Sequence, residues 1–153
     1  MTELTELQLS AQDYDNAFTE VCFLLDILVQ AIDLVAGKRS PSLAFSAGRH
    51  MGKKLPMHLV EPKLDDAVKA VVHTLEGGFE IETALNVRGV EMAVRRCAVR
   101  DACIKRGMQP GGEICKMFHH YIAGIVSELC KGRDVKPTEP AVGERCAFQL
   151  DVR

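Results

Sequence analysis

Apolar residues recur at helical spacing along most of the chain and alternate with polar residues in three places. The strongest helical pattern lies in residues 111–132, where the apolar positions fall three or four apart. Glycines flank this stretch on both sides, as is typical of the loops that precede and follow a helix. The stretch therefore predicts a long central helix whose apolar positions are Ile114, Phe118, Tyr121, Ile122, Ile125 and Leu129.

The first predicted helix covers residues 12–36. Ser10, with Asp13 three positions later, predicts a capping box at its start. Apolar side chains occupy most sides of this helix, which indicates that it is central or packs on two partners. One of those partners could be a second copy of the chain.

A second helix is predicted from Ser40, as N-cap before a proline, to about residue 54. Ala44, Gly48 and Gly52 share one face of it at a spacing of four. The absence of bulky side chains on that face lets another backbone come close. Tight packing between helices is favoured there over a close approach by a ligand.

Residues 64–75 predict a third helix. Alternating patterns at 79–85 and 90–97 predict a hairpin, and a third alternation at 146–153 predicts a terminal strand. This order predicts an α+β fold, with N-terminal helices packed on a small antiparallel sheet and a long central helix before the last strands. Residues 1–10 are interpreted as an N-terminal arm and residues 11–153 as a single domain.

The composition fits a packed domain, because 47% of the 153 residues are hydrophobic and 26% are charged. The formal net charge of −2 gives no general attraction to nucleic acid or to anionic membranes. The sequence shows neither a long apolar run nor a signal peptide, so no membrane span is predicted. A cytoplasmic location follows, and the six cysteines are expected to be reduced thiols.

The central helix carries candidate metal ligands. Cys115 and His119 lie one turn apart on the same side, and Glu139 and Cys146 could join them from the final loop and strand. Zinc accepts thiolate, imidazole and carboxylate ligands in a tetrahedron. The alternative is that these cysteines simply fill the core. Cys130 is excluded from such a site, because it lies about 22 Å further along the same helix.

Catalytic residues are not indicated. The sequence lacks an activated nucleophile with an orienting partner, and it contains no nucleotide-binding or hydrolase motif. The basic stretch at 95–106 is interpreted as a solvated loop rather than an anion site. Cys97 and Cys103 flank that stretch, but their spacing is no metal signature.

Two motifs resemble the 4-vinyl reductase domain family. They are C-x-x-x-H-x-Y-I-A-G-I-V-S-x-L in the central helix and, after a glutamate, G-x-x-C-x-F-x-L in the last strand. FSAGRHMGKKL and VEMAVRRC are similar to upstream parts of that family, so the resemblance extends over residues 43–153. The family includes sensor domains for aromatic compounds and a protein of bacteriochlorophyll synthesis, and its α+β fold is similar to that of Golgi-transport subunits.

The resemblance implies a dimeric protein with a buried pocket for a hydrophobic molecule and a nearby zinc. Cys115, Glu139 and Cys146 match three of the four zinc ligands of the aromatic sensors. Val142 stands where those sensors have a cysteine, and His119 could complete the set. The pocket would be lined in part by four residues of the central helix: Phe118, Tyr121, Ile122 and Ile125.

Three functions are weighed on these grounds. The first is a binding module for a hydrophobic or tetrapyrrole-like small molecule, with a zinc site and a homodimeric assembly. The second is an enzyme or accessory protein in chlorophyll or tetrapyrrole metabolism, which depends on family analogy. The third is a dimeric assembly subunit, suggested by the two-sided first helix. The first is favoured, and catalysis is not.

Overall fold

The computed structural model describes residues 9–55, 63–143 and 145–153. It has the predicted α+β architecture, with helices packed on one face of an antiparallel sheet. The helices are α1 (Ala11–Ala36), a 3₁₀ turn (Gly37–Arg39), α2 (Ser40–Gly52), α3 (Leu64–Leu75), α4 (Ala98–Lys105) and α5 (Glu113–Leu129). The strands are β1 (Phe79–Asn86), β2 (Gly89–Cys97), β3 (Val135–Pro137), β4 (Ala141–Val142) and β5 (Cys146–Val152).

Helix α1 begins with the predicted capping box. The Ser10 hydroxyl accepts from the Asp13 amide, and the Asp13 carboxylate accepts from the Ser10 amide at 2.8 Å. Most of the N-terminal arm predicted over residues 1–10 lies outside the described residues. Within the described part of the chain, no helix combines the length and apolar character needed to cross a membrane.

Helices α2 and α5 approach one another to backbone contact. A methyl group added at Gly48 would lie 2.9 Å from the Tyr121 carbonyl carbon, and one added at Gly124 would lie 3.0 Å from the Phe45 carbonyl carbon. The small-residue face of α2 therefore packs on α5, as predicted. The start of α2 differs slightly from prediction, because the 3₁₀ turn leads directly into it and Ser40 is its first residue rather than its cap.

The sheet has the order β1-β2-β5-β3, and β4 also pairs with β5. All pairings are antiparallel. The inward face packs on the helices and includes Val90, Met92, Val94, Phe148 and Leu150. The outward face carries polar pairs such as Arg95 with Glu82 and Asn86 with Gln149. The region before β5 contains β3 and β4, which are too short to produce an alternating pattern.

Helix α4 occupies part of the stretch that was interpreted as a loop. The Cys97 sulfur accepts from the Arg100 amide at its start, and Ala102 and Cys103 are buried against the rest of the domain. At its end, Lys105 and Arg106 form ion pairs with carboxylates of α1. Lys105 and Arg106 therefore connect α4 to α1 instead of lying on a solvated loop.

Candidate functional site

Helix α5 separates two environments. One side packs into the main core, where Ile122 is fully buried and Ile125 is 3% exposed. The other side faces α1 and α2 and presents Ile114, Met117, Phe118 and Tyr121 at helical spacing. The four predicted ligand-binding residues are therefore divided, with Phe118 and Tyr121 on the open side and Ile122 and Ile125 in the core.

An apolar groove of about 310 Å³ lies between α1, α2 and α5. Its lining residues are Leu25, Leu28, Val29, Ile32, Ala44, Ala47, Val99, Ile114, Met117, Phe118 and Tyr121. Tyr121 is the one residue of this lining with a polar side-chain atom, and burial raises the pKa of its hydroxyl. The groove thus offers an apolar surface, and α1 forms one of its walls.

A second, smaller cavity of about 20 Å³ lies beside the groove and shares Val99 and Phe118 with it. Cys97, Cys115 and Cys146 line it together with His119, and we call it the thiol pocket. Its volume suffices for one water molecule or ion. Cys97 ends β2, Cys115 and His119 lie on α5, and Cys146 begins β5, so the fold brings together donors that are distant in sequence.

His119 is 4% exposed and stacks on Phe148 at a ring distance of 4.0 Å. Its Nε2 atom lies 3.9 Å from the Cys146 sulfur, and its Nδ1 atom is buried with no hydrogen-bond partner among the described residues. Burial, with a contribution from His120, lowers the pKa of His119 to about 4. The imidazole is therefore neutral at physiological pH and has an unused donor or acceptor.

Three thiols of this region, those of Cys97, Cys103 and Cys146, are protonated at neutral pH. Burial raises the pKa of Cys146 to about 11, that of Cys103 to about 12, and that of Cys97 above its ordinary value. Cys115 accepts a hydrogen bond from the Gly111 amide at 3.2 Å. A thiolate in this setting would need a nearby cation to stabilise it, so these three cysteines are poor nucleophiles at neutral pH.

Of the four predicted metal ligands, Cys115, His119 and Cys146 meet at the thiol pocket, and Glu139 does not. The Glu139 side chain is 84% exposed and lies 3.9 Å from the Lys116 ammonium. Cys97 borders the pocket in its place. As the side chains stand, no three Cys, His, Asp or Glu residues of the described ranges converge closely enough to hold a metal. Cysteine and histidine are donors that zinc accepts, and in this structure the fourth predicted ligand, Glu139, lies away from them.

Cys22 and Cys130 are buried, and neither lines the thiol pocket. His50 is exposed on α2. Cys97 was missed as a pocket residue because its position at the end of a strand, three residues past Val94, gives no ligand spacing.

Comparison with known proteins provides no relative for this chain. No protein-family model matches it, and no curated protein or solved structure does either. The resemblance to the 4-vinyl reductase domain therefore stays a prediction. The function has to be argued from the groove and the thiol pocket.

Proposed function

We propose that this protein is a binding module for an apolar small molecule, held in the groove between α1, α2 and α5. The supporting observation is a groove of about 310 Å³ whose lining residues are apolar apart from Tyr121. Ligand sites are typically concave, mostly apolar and equipped with few polar groups. A small hydrophobic molecule fits this description best.

A groove-filling variant tests the proposal. Ala47 lines the groove, so Ala47→Phe places a ring in the space that the ligand would take. Ala84→Phe adds the same ring at an exposed position of β1 and serves as the matched control. Native mass spectrometry and solvent extraction should find a bound lipophilic molecule in the wild type and the control, and none in Ala47→Phe. Equal occupancy in all three proteins would refute the groove as the site.

A tetrapyrrole is a more specific candidate for the ligand, and this candidate is supported by the family resemblance alone. A pigment extracted with the protein would show the absorption bands of a conjugated macrocycle. That result would favour a carrier or accessory role in tetrapyrrole metabolism. A colourless aliphatic ligand would instead favour the general hydrophobic binding module.

Zinc binding at the thiol pocket is a second candidate function. It is supported by three thiols and an imidazole with an unpartnered nitrogen around one small cavity. Cys97, Cys115, Cys146 and His119 would hold the ion, and the Zn²⁺ charge would favour thiolates over thiols. Such an ion would join β2, α5 and β5 and so stabilise the wall beside the groove.

Metal analysis of matched variants tests this candidate. Zinc should co-purify with the wild type at one ion per chain and be lost from Cys97→Ser and Cys146→Ser. Glu139→Gln should keep the metal, since that carboxylate is exposed. If Glu139→Gln loses zinc and Cys97→Ser keeps it, then Glu139 and not Cys97 is the fourth ligand, as the sequence predicts. If the wild type purified without chelator contains no metal, zinc binding at the thiol pocket is refuted.

We also propose that the chain is a homodimer. The support is the large exposed apolar surface of α1, on which Val35 and Leu34 are 90% and 87% exposed. Continuous apolar patches on a monomer usually mark an interaction surface. Sedimentation velocity over a dilution series should show a reversible monomer–dimer equilibrium. A single monomer boundary at every concentration would contradict this proposal.

A further inference from the structure

Helix α1 is attached to the domain along only one side. Of its 26 residues, Cys22 is the one that is buried. Lys105 and Arg106 of α4 pair with Asp15 and Asp26, and these contacts define the attached side. The opposite side has no partner in the described part of the chain, although it is rich in apolar residues. A helix of this kind depends on packing for its stability, since propensity alone is weak in water.

The exposed side of α1 carries a heptad pattern. Apolar residues follow one another at spacings that alternate between three and four. They are Tyr14, Ala17, Val21, Leu24, Leu28, Ala31 and Val35. All seven are exposed, and Ile27 and Leu34 widen the stripe on one flank. We call these seven residues the α1 seam. A heptad repeat that continues for about three heptads is typical of a helix that packs against another helix in a coiled coil.

The two ends of the seam carry opposite charges. Every charged residue within α1 is acidic, and Asp13 lies in its first turn. Lys38 and Arg39 follow its last turn and are exposed. An identical helix running in the opposite direction would bring the basic end of one copy beside the acidic start of the other. A parallel pair would instead bring like charges together at both ends.

The side-chain sizes along the seam also suit an antiparallel pair. In one such register Ala17 faces Val35 of the other copy, Val21 faces Ala31, and Leu24 faces Leu28. Each alanine then lies opposite a larger side chain, which keeps the spacing between the helices even. In the same register Asp13 lies opposite Arg39. A seam that is complementary to itself in both charge and size favours a second copy of this chain over an unrelated partner.

We propose that the α1 seam is the homodimer interface, formed by two α1 helices packed antiparallel over about 30 Å. This inference rests on the proposed homodimer and specifies its surface and orientation. The interface is isologous, because each copy contributes the same residues. It lies on the side of α1 away from α4 and leaves the thiol pocket untouched.

Charged substitutions in the seam test the surface. Val21→Lys combined with Leu24→Glu places four charges at the centre of the dimer, so the dimer dissociation constant should rise by about a hundredfold or more. Val87→Lys, at a fully exposed apolar residue of the β1–β2 turn, is the control and should leave that constant unchanged. Circular dichroism and the thermal midpoint establish that each variant is folded. If the folded double variant is still a dimer, the α1 seam is not the interface, although the protein is a homodimer. If the wild type is a monomer, both the homodimer and the seam interface are refuted.

Zero-length cross-linking tests the orientation. Asp13 and Ala36 are 23 residues apart in α1, a rise of about 35 Å, and Lys38 follows only two residues after Ala36, so no zero-length link can join Asp13 and Lys38 within one chain. A carbodiimide-formed amide between these residues must therefore join two copies. Mixed isotope-labelled and unlabelled protein should give this link in the dimer band. If the folded dimer gives no Lys38 link to Asp13 or Asp15, the antiparallel arrangement is refuted.

Discussion

The contact between α2 and α5 provides the sharpest prediction about stability, because two opposing effects can be compared at Gly48. In an exposed helix, glycine to alanine would stabilise the protein by about 1 kcal/mol, since alanine loses less backbone entropy on folding. At Gly48 the new methyl group would lie 2.9 Å from the Tyr121 carbonyl carbon and 3.1 Å from the Gly124 Cα, and closer still to the Tyr121 carbonyl oxygen.

Ordinary van der Waals contact between carbon atoms begins near 3.5 Å, so α2 and α5 would have to separate by several tenths of an ångström or more. Overpacking of this kind costs about 1–3 kcal/mol and occasionally more. The obstacle is backbone, which cannot rotate away as a flexible side chain would. The steric cost therefore exceeds the propensity gain, and Gly48→Ala should lower the free energy of unfolding by about 2 kcal/mol. For a chain of this size that corresponds to a fall of about 4–8 °C in Tm.

Urea and thermal denaturation of Gly48→Ala measure this loss. Ser46→Ala, at an exposed position of the same helix, is the control and should change stability by less than about 0.5 kcal/mol. Gly124→Ala strains the same contact from the other side, where Phe45 is the obstacle, so the double variant should lose less than the sum of the single losses. An unchanged or raised Tm for Gly48→Ala would show that the helices do not approach this closely.

Three further predictions concern titration, capping and thiol reactivity. The pKa of His119 is lowered to about 4 from 6.5, so the unfolded chain binds a proton between these values and the folded chain does not. The free energy of unfolding of metal-free protein should therefore fall by up to about 3 kcal/mol as the pH drops from 7 to 4, and His119→Gln should remove that component. Ser10→Ala removes the cap of α1 and should cost about 1 kcal/mol in urea denaturation. The raised pKa values of Cys103 and Cys146 predict very slow alkylation of both in the native protein and rapid alkylation in urea.

Each of these has a clear contrary outcome. If wild type and His119→Gln lose stability in parallel on acidification, then His119 is not the group that resists protonation. An unaltered midpoint in Ser10→Ala would show that α1 begins elsewhere or contributes little to the cooperative unit. Complete labelling of Cys146 within minutes in native buffer would mean that its thiol is accessible and readily ionised.

The regular elements were predictable wherever the apolar pattern was long. Helices α1, α3 and α5 were recognised from apolar spacing, and β1, β2 and β5 from alternation. Even the small-residue face of α2 was interpreted correctly, because missing side chains at a spacing of four indicate close packing. Apolar spacing, alternation and the spacing of small residues are properties of one segment, so they can be inferred from the sequence without knowing what the segment contacts.

Helix α4 was missed for a physical reason. Its eight residues include two basic and one acidic side chain and only a short apolar face, which a propensity pattern cannot distinguish from a loop. It is held in place by tertiary contacts, namely the burial of Cys103 and the ion pairs that Lys105 and Arg106 make with α1. Such long-range contacts leave no periodic signal in the local sequence.

The candidate site was only partly predictable for a related reason. Helix α5 is apolar on more than one face, so periodicity could not tell which residues meet the sheet and which line the groove. Ile122 and Ile125 face the core, whereas Phe118 and Tyr121 face the groove. The separation of Glu139 from the thiol pocket depends on the path of the final loop, which the spacing of residues does not determine.

The most direct test of the proposed binding function is a methyl NMR titration of the full chain with an apolar dye such as Nile red. Binding in the groove should shift the methyl signals of Leu25, Val29 and Ile114 in a saturable manner. The signals of Val90 and Leu150, which lie in the core on the sheet, should stay unchanged. Saturable binding that leaves the three groove signals in place, or no binding at all, would contradict the proposal that this groove is a ligand site.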